Sequence, residues 1–179
     1  MNNDIAKVLF TQDQIEQRLD QLAADLTAKY QDQFPVVVSV MTGATIFTVD
    51  MIKRLNFKLN LDYLDVSSYQ NGSESAGQIQ LNHDLSYDIK GRPVIIMEDI
   101  IDTGYTLKYL RDLLQNRGAK SIEICTLLDK PERRKVDVKA DRVGFKVPNE
   151  FIVGYGLDYA GLYRNLPYIG ILKKEVYAH

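Results

Sequence analysis

Residues 94–106 read V-I-I-M-E-D-I-I-D-T-G-Y-T, and this stretch decides the fold. Four apolar residues come first, of the β-branched or long kind that fills a strand buried on both faces. Two adjacent carboxylates, Glu98 and Asp99, follow, then Asp102, and the amphipathic run 107–117 comes after them. The pattern predicts a strand, an acidic loop and a helix start. Because open α/β sheets bind ligands at the carboxyl ends of their parallel strands, this loop is the candidate site.

The residues that open the predicted helix suit an anion. They bring backbone N–H groups and hydroxyls to a helix N-terminus, where phosphate binds well. The four residues are Thr103, Gly104, Tyr105 and Thr106. Three carboxylates lie close by, however, and carboxylates repel phosphate. A divalent cation could neutralise them, or Glu98 and Asp99 could accept hydrogen bonds from adjacent sugar hydroxyls. The residues therefore predict a phosphorylated ribose, with Mg²⁺. The alternative is a solvated strand end with Thr103 as a simple N-cap.

The stretch closely resembles the phosphoribosyl-pyrophosphate motif of the type I phosphoribosyltransferases. Its version, with two acids, two isoleucines and Asp-Thr-Gly, looks like the hypoxanthine/guanine branch of that family. The resemblance runs from about Val8 to Leu172, with every major motif in order. It implies phosphoribosyl pyrophosphate and a purine base as substrates. Asp102 stands after the acidic pair and before the phosphate-binding residues, so it is expected to take the proton from the purine's five-membered ring as the catalytic base.

A second loop, Met41-Thr42-Gly43-Ala44, follows the predicted strand 36–40. Gly43 permits a tight turn and a close backbone approach to an anion. In the family the matching loop binds pyrophosphate through its backbone, often with a cis peptide before its second residue. Many members carry a basic residue where this chain has Thr42. The resemblance therefore implies a backbone contact here, without a contact from a side-chain charge.

Residues 68–77 are polar and rich in small side chains, which predicts a mobile loop. Such a loop is either an ordinary hairpin connection or a functional lid. The match at Ser67-Ser68-Tyr69 favours the lid, with Ser68 and Tyr69 at its start. By resemblance, the lid folds over the reacting centre and excludes water.

Several residues in the last third of the chain are assigned to the base pocket by resemblance. Lys130, just past a predicted strand, is expected to donate to the 6-oxo group of the purine. Phe151 is expected to stack on the purine ring and the backbone of Ile152 to contact the base edge. The alternative for Phe151 is an ordinary core aromatic. The neighbouring basic run 133–135 reads as solvated surface.

Asp158 and Arg164 flank an aromatic-rich turn. They could be a plain surface ion pair. By resemblance, Asp158 lies at the purine pocket and helps Glu98 and Asp99 hold Mg²⁺, while Arg164 contacts pyrophosphate.

Composition limits the remaining possibilities. The 179 residues are 45% hydrophobic and 26% charged, with a net charge of −2, which argues against a nucleic-acid partner held by bulk charge. The single cysteine, Cys125, lies in an apolar run and reads as a buried hydrophobe. No apolar run approaches eighteen residues and no signal-peptide pattern opens the chain, so a cytoplasmic enzyme without a membrane partner is expected. A homo-oligomer, dimer or tetramer, is also expected.

The expected fold is a single α/β domain over residues 1–179, with a twisted, mostly parallel sheet and helices on both faces. This is the type I phosphoribosyltransferase fold, with a small hood built from the N-terminal segment and residues 129–172. A capping-box pattern at residues 11–14 and an apolar stripe from Ile15 to Tyr30 predict one covering helix. Two rival functions stay open. One is a phosphoribosyltransferase for another base, and the other is a regulator that keeps the fold without turnover.

Overall fold

The computed structural model describes residues 1–69 and 78–178. The strands are β1 Ile5–Phe10, β2 Val36–Met41, β3 Asn60–Tyr69, β4 Gln78–His83, β5 Pro93–Ile101, β6 Ser121–Asp129, β7 Arg142–Lys146, β8 Ile152–Val153 and β9 Ile169–Leu172. The helices are α1 Gln12–Tyr30, α2 Thr45–Ile52, α3 Tyr105–Asn116 and α4 Lys174–Tyr177, with 3₁₀ turns at Asn2–Asp4 and Pro131–Arg133. No helix in these ranges is long and apolar enough to cross a membrane.

The main sheet has the strand order β4-β3-β2-β5-β6-β7. Neighbouring strands of this sheet pair in parallel, except that β4 runs antiparallel to β3. The strand β5 lies inside the sheet and is buried on both faces. Ile95 and Met97 pack with α1 and α2 on one face, whereas Val94 and Ile96 pack with α3 on the other. The predicted α/β class, with a mostly parallel sheet and helices on both faces, is confirmed.

The helix α1 begins and packs as its pattern predicts. The N–H of Gln14 donates to Thr11 Oγ1 at 3.3 Å, and the N–H of Thr11 donates to Gln14 Oε1 at 2.9 Å, which completes the capping box. The apolar stripe from Ile15 to Tyr30 is buried against the sheet. On α3, the amphipathic run predicted at 107–117 buries Leu107, Leu110 and Leu114.

The second sheet is antiparallel, with the order β1-β9-β8. It joins the N-terminal strand to two strands from the last third of the chain. The strand β7 lies within the region 129–172 that was expected in the hood, yet it pairs in parallel with β6 in the main sheet. The strand β8 is short, only Ile152–Val153. It ends there because Gly154, Tyr155 and Gly156 all take positive φ angles.

The prediction of a lid at residues 68–77 lies mostly outside the described residues, which leave out 70–77. Ser68 and Tyr69 form the carboxyl end of β3.

Candidate active site

Three loops meet at the carboxyl edge of the main sheet. They follow β2, β5 and β6, which end at the same edge because these neighbouring strands are parallel. The contacts between them are close. A Cβ on Gly43 would lie 1.7 Å from Asp99 Oδ2, and the N–H of Lys130 donates to the Ile101 carbonyl at 2.9 Å. The loops predicted to hold pyrophosphate, sugar and base are therefore neighbours.

The acidic pair at the end of β5 is not a solvated strand end. Glu98 is only 6% exposed, and Asp99 is partly buried beside it. Burial, and then the charge of Asp99, raises the pKa of Glu98 well above its ordinary value. Burial also raises the pKa of Asp99, although the N–H of Ile100, which donates to Asp99 Oδ1 at 2.7 Å, and the charge of Arg164 oppose it. Two adjacent buried carboxyl groups are suited to ligand hydroxyls or to a cation.

The helix α3 starts without a side-chain cap. Its N-cap residue is Gly104, with φ of 90°, so the interpretation of Thr103 as the N-cap is wrong. The first-turn N–H groups, which no side chain caps, are donors available to an anion. A Cβ on Gly104 would lie 2.6 Å from Val138 Cγ1, because the segment after β6 packs against this turn.

The loop after β2 contacts a second segment of the site. The Met41–Thr42 peptide is cis, and a Cβ on Gly156 would lie 2.3 Å from the Gly43 carbonyl. Arg164 donates through Nη1 to the Gly156 carbonyl at 2.6 Å. The backbone at Gly43 and the Arg164 side chain are therefore held in one region, which a shared contact with pyrophosphate, predicted for both, would require.

Asp158 and Arg164 form an ion pair, with Nη2 of Arg164 at 2.7 Å from Asp158 Oδ1. Both side chains are about one-third exposed, and Asp158 Oδ2 also accepts from the Gly161 N–H at 2.7 Å. The ion pair that was the alternative to a binding role is therefore present. Asp158 also lines the main cavity of the site, so the ion pair does not exclude a binding role.

A cavity of about 600 Å³ brings the predicted base-site residues together. Five of them line it: Asp102, Lys130, Phe151, Ile152 and Asp158. Its other lining residues are Ile100, Arg133, Asn149, Glu150, Leu157, Lys174 and Tyr177. The geometry supports a pocket for a flat, polar-edged ligand, because an aromatic ring lies beside buried donors and a carboxylate.

The Phe151 ring is held by other aromatic rings. It stacks on Tyr177 with a centroid distance of 4.7 Å and meets Tyr159 edge-on at 5.3 Å. Tyr177 belongs to α4, and sequence reasoning missed it. It stands 26 residues after Phe151 in the chain, and no local pattern marks it as a site residue.

Lys130 is 8% exposed, and its Nζ donates to the Glu150 carbonyl at 2.9 Å. Burial lowers its pKa, while the charge of Asp102 opposes that shift. An ammonium group has three donors, so Lys130 retains donors for a ligand in the cavity.

The predicted solvated surface at 133–135 is right for Arg133 and Lys135, which are exposed, and wrong for Arg134, which is partly buried. The two arginines also contact Asp102. Arg133 Nε lies 2.7 Å from Asp102 Oδ1, and Arg134 Nη1 donates to the Asp102 carbonyl at 3.0 Å. Arg134 also pairs with Asp129. The chain turns back here because a 3₁₀ turn, Pro131–Arg133, follows β6 directly. This turn places the run against the loop that carries Asp102.

The carboxylates predicted to hold Mg²⁺ are Asp158, Glu98 and Asp99. Within residues 1–69 and 78–178, no three His, Cys, Asp or Glu side chains are grouped as a metal cluster. Mg²⁺ commonly binds through one or two carboxylates together with substrate phosphates, and it does not require an all-protein cage. The hard oxygens of Asp158 at the cavity, and of the buried Glu98–Asp99 pair, fit such an ion.

Comparisons with known proteins identify the family of the chain. A family model described as "Phosphoribosyl transferase domain" matches residues 7–160. The chain is 54% identical over 178 residues to the bifunctional protein TilS/HprT of Listeria innocua. The match covers 99% of this chain and 28% of that longer protein. The chain is 52% identical to the hypoxanthine-guanine phosphoribosyltransferase of Bacillus subtilis, over 99% of this chain and 98% of that protein. The crystal structure of a hypoxanthine phosphoribosyltransferase from Staphylococcus aureus superposes with a TM-score of 0.97 at 51% identity, over 100% of this chain and 97% of that one.

Proposed function

The chain belongs to the phosphoribosyltransferase family, and we propose that it is a purine-salvage enzyme. It joins hypoxanthine or guanine to phosphoribosyl pyrophosphate and releases the nucleoside monophosphate and pyrophosphate. One observation carries this proposal. A single cavity holds a buried cationic donor, Lys130, an aromatic platform, Phe151, and a carboxylate, Asp102, beside the uncapped start of α3.

The sugar-phosphate half of the site binds through backbone and acid groups. The uncapped N–H groups and hydroxyls of Thr103, Gly104, Tyr105 and Thr106 hold the 5-phosphate. Glu98 and Asp99 accept hydrogen bonds from the two ribose hydroxyls, which are neutral donors that a buried acid pair can bind. The backbone at Thr42 and Gly43, with Arg164, contacts the pyrophosphate.

The base half of the site selects and orients the purine. Phe151 stacks on the ring and the backbone of Ile152 contacts its edge. Lys130 donates to the 6-oxo group, which favours an oxopurine over adenine because an amino group at that position would meet a second donor. Asp102, which also lines the cavity, is the proton acceptor.

In the transfer step, a ring nitrogen of the purine forms a bond to the anomeric carbon as the bond to pyrophosphate breaks. Positive charge develops on the sugar and negative charge on the departing pyrophosphate. Asp102 takes the proton from the five-membered ring of the base, and its charge stabilises the cationic sugar. Arg164 stabilises the leaving group, and the surrounding contacts hold the reactants in line.

Asp158, together with Glu98 and Asp99, would be the carboxylates that hold Mg²⁺ here. When bound, the ion neutralises charge on the pyrophosphate.

We also propose a cytoplasmic location and a homo-oligomer, dimer or tetramer. An ordinary globular composition and a buried single thiol support the first proposal. The second proposal rests on the resemblance to the family. Light scattering of the purified protein measures the oligomer directly.

A turnover assay tests the proposed function. The protein is mixed with phosphoribosyl pyrophosphate, Mg²⁺ and each of five bases, namely hypoxanthine, guanine, xanthine, adenine and uracil. Pyrophosphate and nucleotide are both measured. Fast turnover of hypoxanthine or guanine, with adenine and uracil slow, is the expected result. A preference for adenine or uracil would indicate the rival transferase, and binding without nucleotide formation would indicate the rival regulator.

A further inference from the structure

On the basis of the function proposed above, we propose that Arg133 is a positioning residue for Asp102. It occupies one carboxylate oxygen, so that the other oxygen faces the purine. Sequence reasoning assigned Arg133 to solvated surface, and its place in the cavity was not expected.

The two oxygens of the Asp102 carboxylate have different surroundings. Oδ1 is buried and, among the described residues, has no hydrogen-bond partner with acceptable geometry. The nearest cation is Arg133, whose Nε lies 2.7 Å from Oδ1 without a well-directed N–H. The Asp102 side chain is nevertheless 39% exposed. Since Oδ1 contributes almost nothing to this exposure, Oδ2 is the oxygen that is open to the cavity.

The segment that carries Arg133 is attached at both ends to the loop that carries Asp102. Before it, the N–H of Lys130 donates to the Ile101 carbonyl at 2.9 Å. After it, the N–H of Lys135 donates to the Thr103 carbonyl at 2.9 Å. These two backbone hydrogen bonds join the residues on either side of Arg133 to the residues on either side of Asp102, so they hold Arg133 opposite Asp102. The residue at the start of this segment, Lys130, is also the one proposed to contact the base.

This geometry makes the two oxygens unequal during proton transfer. A cation at Oδ1 keeps that oxygen unprotonated, so the purine's proton goes to Oδ2. It also limits rotation of the carboxylate, which would otherwise alternate between its two oxygens. Arg133 is 48% exposed, and such a solvated ion pair contributes little to folding stability. Its effect is expected in the rate of the chemical step.

The test compares Arg133→Gln and Arg133→Lys with the unaltered enzyme. Arg133→Gln should lower kcat roughly tenfold, the equivalent of one well-placed interaction, with the KM for phosphoribosyl pyrophosphate nearly unchanged. Arg133→Lys should restore part of the loss because it restores the cation. The matched control is Arg117→Gln. It breaks an ion pair with Asp84 at 2.5 Å, and neither of these two residues lines the cavity, so kcat should be unchanged.

A double-mutant cycle with Asp102→Asn separates positioning from any other role. If Arg133 acts through Asp102, adding Arg133→Gln to Asp102→Asn should cost almost nothing more. An unchanged kcat in Arg133→Gln would overturn the proposal, and so would an equal further loss in the Asp102→Asn background. These outcomes differ from failure of the proposed function, in which the unaltered enzyme would make no nucleotide.

Discussion

Asp102→Asn should slow the chemical step while leaving the binding of phosphoribosyl pyrophosphate nearly intact. An amide is almost isosteric with a carboxylate but cannot accept a proton. The usual contribution of a general base is roughly 10²- to 10⁴-fold in rate, or about 2.7 to 5.4 kcal/mol of barrier. The surroundings of Asp102 determine what the amide does in the cavity.

An asparagine at position 102 has only one oxygen to share between Arg133 and the cavity. The positive charge of the Arg133 guanidinium, whose Nε lies 2.7 Å from Oδ1 in the native site, favours the amide oxygen over the amide nitrogen at that position. The amide nitrogen is then left at the position of Oδ2, where it faces the purine's own N–H. Two donors meet there, so the variant loses the proton acceptor and also gains a mismatch. We therefore expect a loss of at least about 10²-fold.

Rapid-quench measurements with enzyme in excess over phosphoribosyl pyrophosphate report the chemical step directly, so slow product release cannot mask the effect. Calorimetric titration gives the affinity for phosphoribosyl pyrophosphate in the same variant. Asp112→Asn is the matched control, because Asp112 is a half-exposed α3 residue paired with Lys108 and has no role in the site. Near-normal single-turnover rates in Asp102→Asn would refute the reasoning and move the base to another group.

Three further changes give separate results. Lys130→Ala should weaken hypoxanthine and guanine binding by about 1.5 to 3 kcal/mol, or roughly 10- to 150-fold, measured by titration, with phosphoribosyl pyrophosphate unaffected; equal losses for adenine would rule out contact with the oxo group. Glu98→Gln should weaken phosphoribosyl-pyrophosphate binding more than purine binding. The Glu98→Gln change should also raise the free energy of unfolding, most at alkaline pH. There the unaltered native protein must bury the Glu98 charge, which the raised pKa shows to be disfavoured, and glutamine carries no charge. A loss of stability at alkaline pH would contradict this. Glu123→Gln should lower the melting temperature at neutral pH by about 4 to 8 °C, from about 2 kcal/mol of lost ion pairs and hydrogen bonds with Lys29, Tyr30 and Arg142. Burial works to raise the pKa of Glu123, but these partners hold it below its ordinary value. The difference in melting temperature between the variant and the unaltered protein should therefore shrink as acid protonates the native side chain. A melting-temperature difference independent of pH would count against this.

The parts of the fold and site that sequence reasoning predicted are those with local causes. The strand at 94–97 is apolar at every position, and a strand buried on both faces requires that. Gly43 and Lys130 could be placed at the site because each directly follows a predicted parallel strand, and such strands end at one edge. The sheet then brings their loops together without further information.

The parts that were missed depend on contacts between distant segments. Arg133 has the sequence context of a surface residue, and only the turn after β6 brings it to Asp102. Tyr177 reaches Phe151 because β9 returns alongside β8 and carries α4 with it. Strand β7 pairs with β6 in the main sheet, and no local pattern in its sequence indicates that partner. Periodicity describes one element at a time and carries no record of such pairings.

The contact between Gly43 and Asp99 has an evolutionary consequence. A Cβ at position 43 would overlap the Asp99 carboxylate at 1.7 Å, so even alanine there displaces an acid group of the site. A larger residue at 43 therefore requires the Asp99 side chain to move away or to be replaced by a smaller one. The two positions are separated by 56 residues in sequence, yet the side chain that position 43 can carry depends on the one at position 99. Lineages that change the chemistry of this acid pair should therefore be the ones in which position 43 is free to vary.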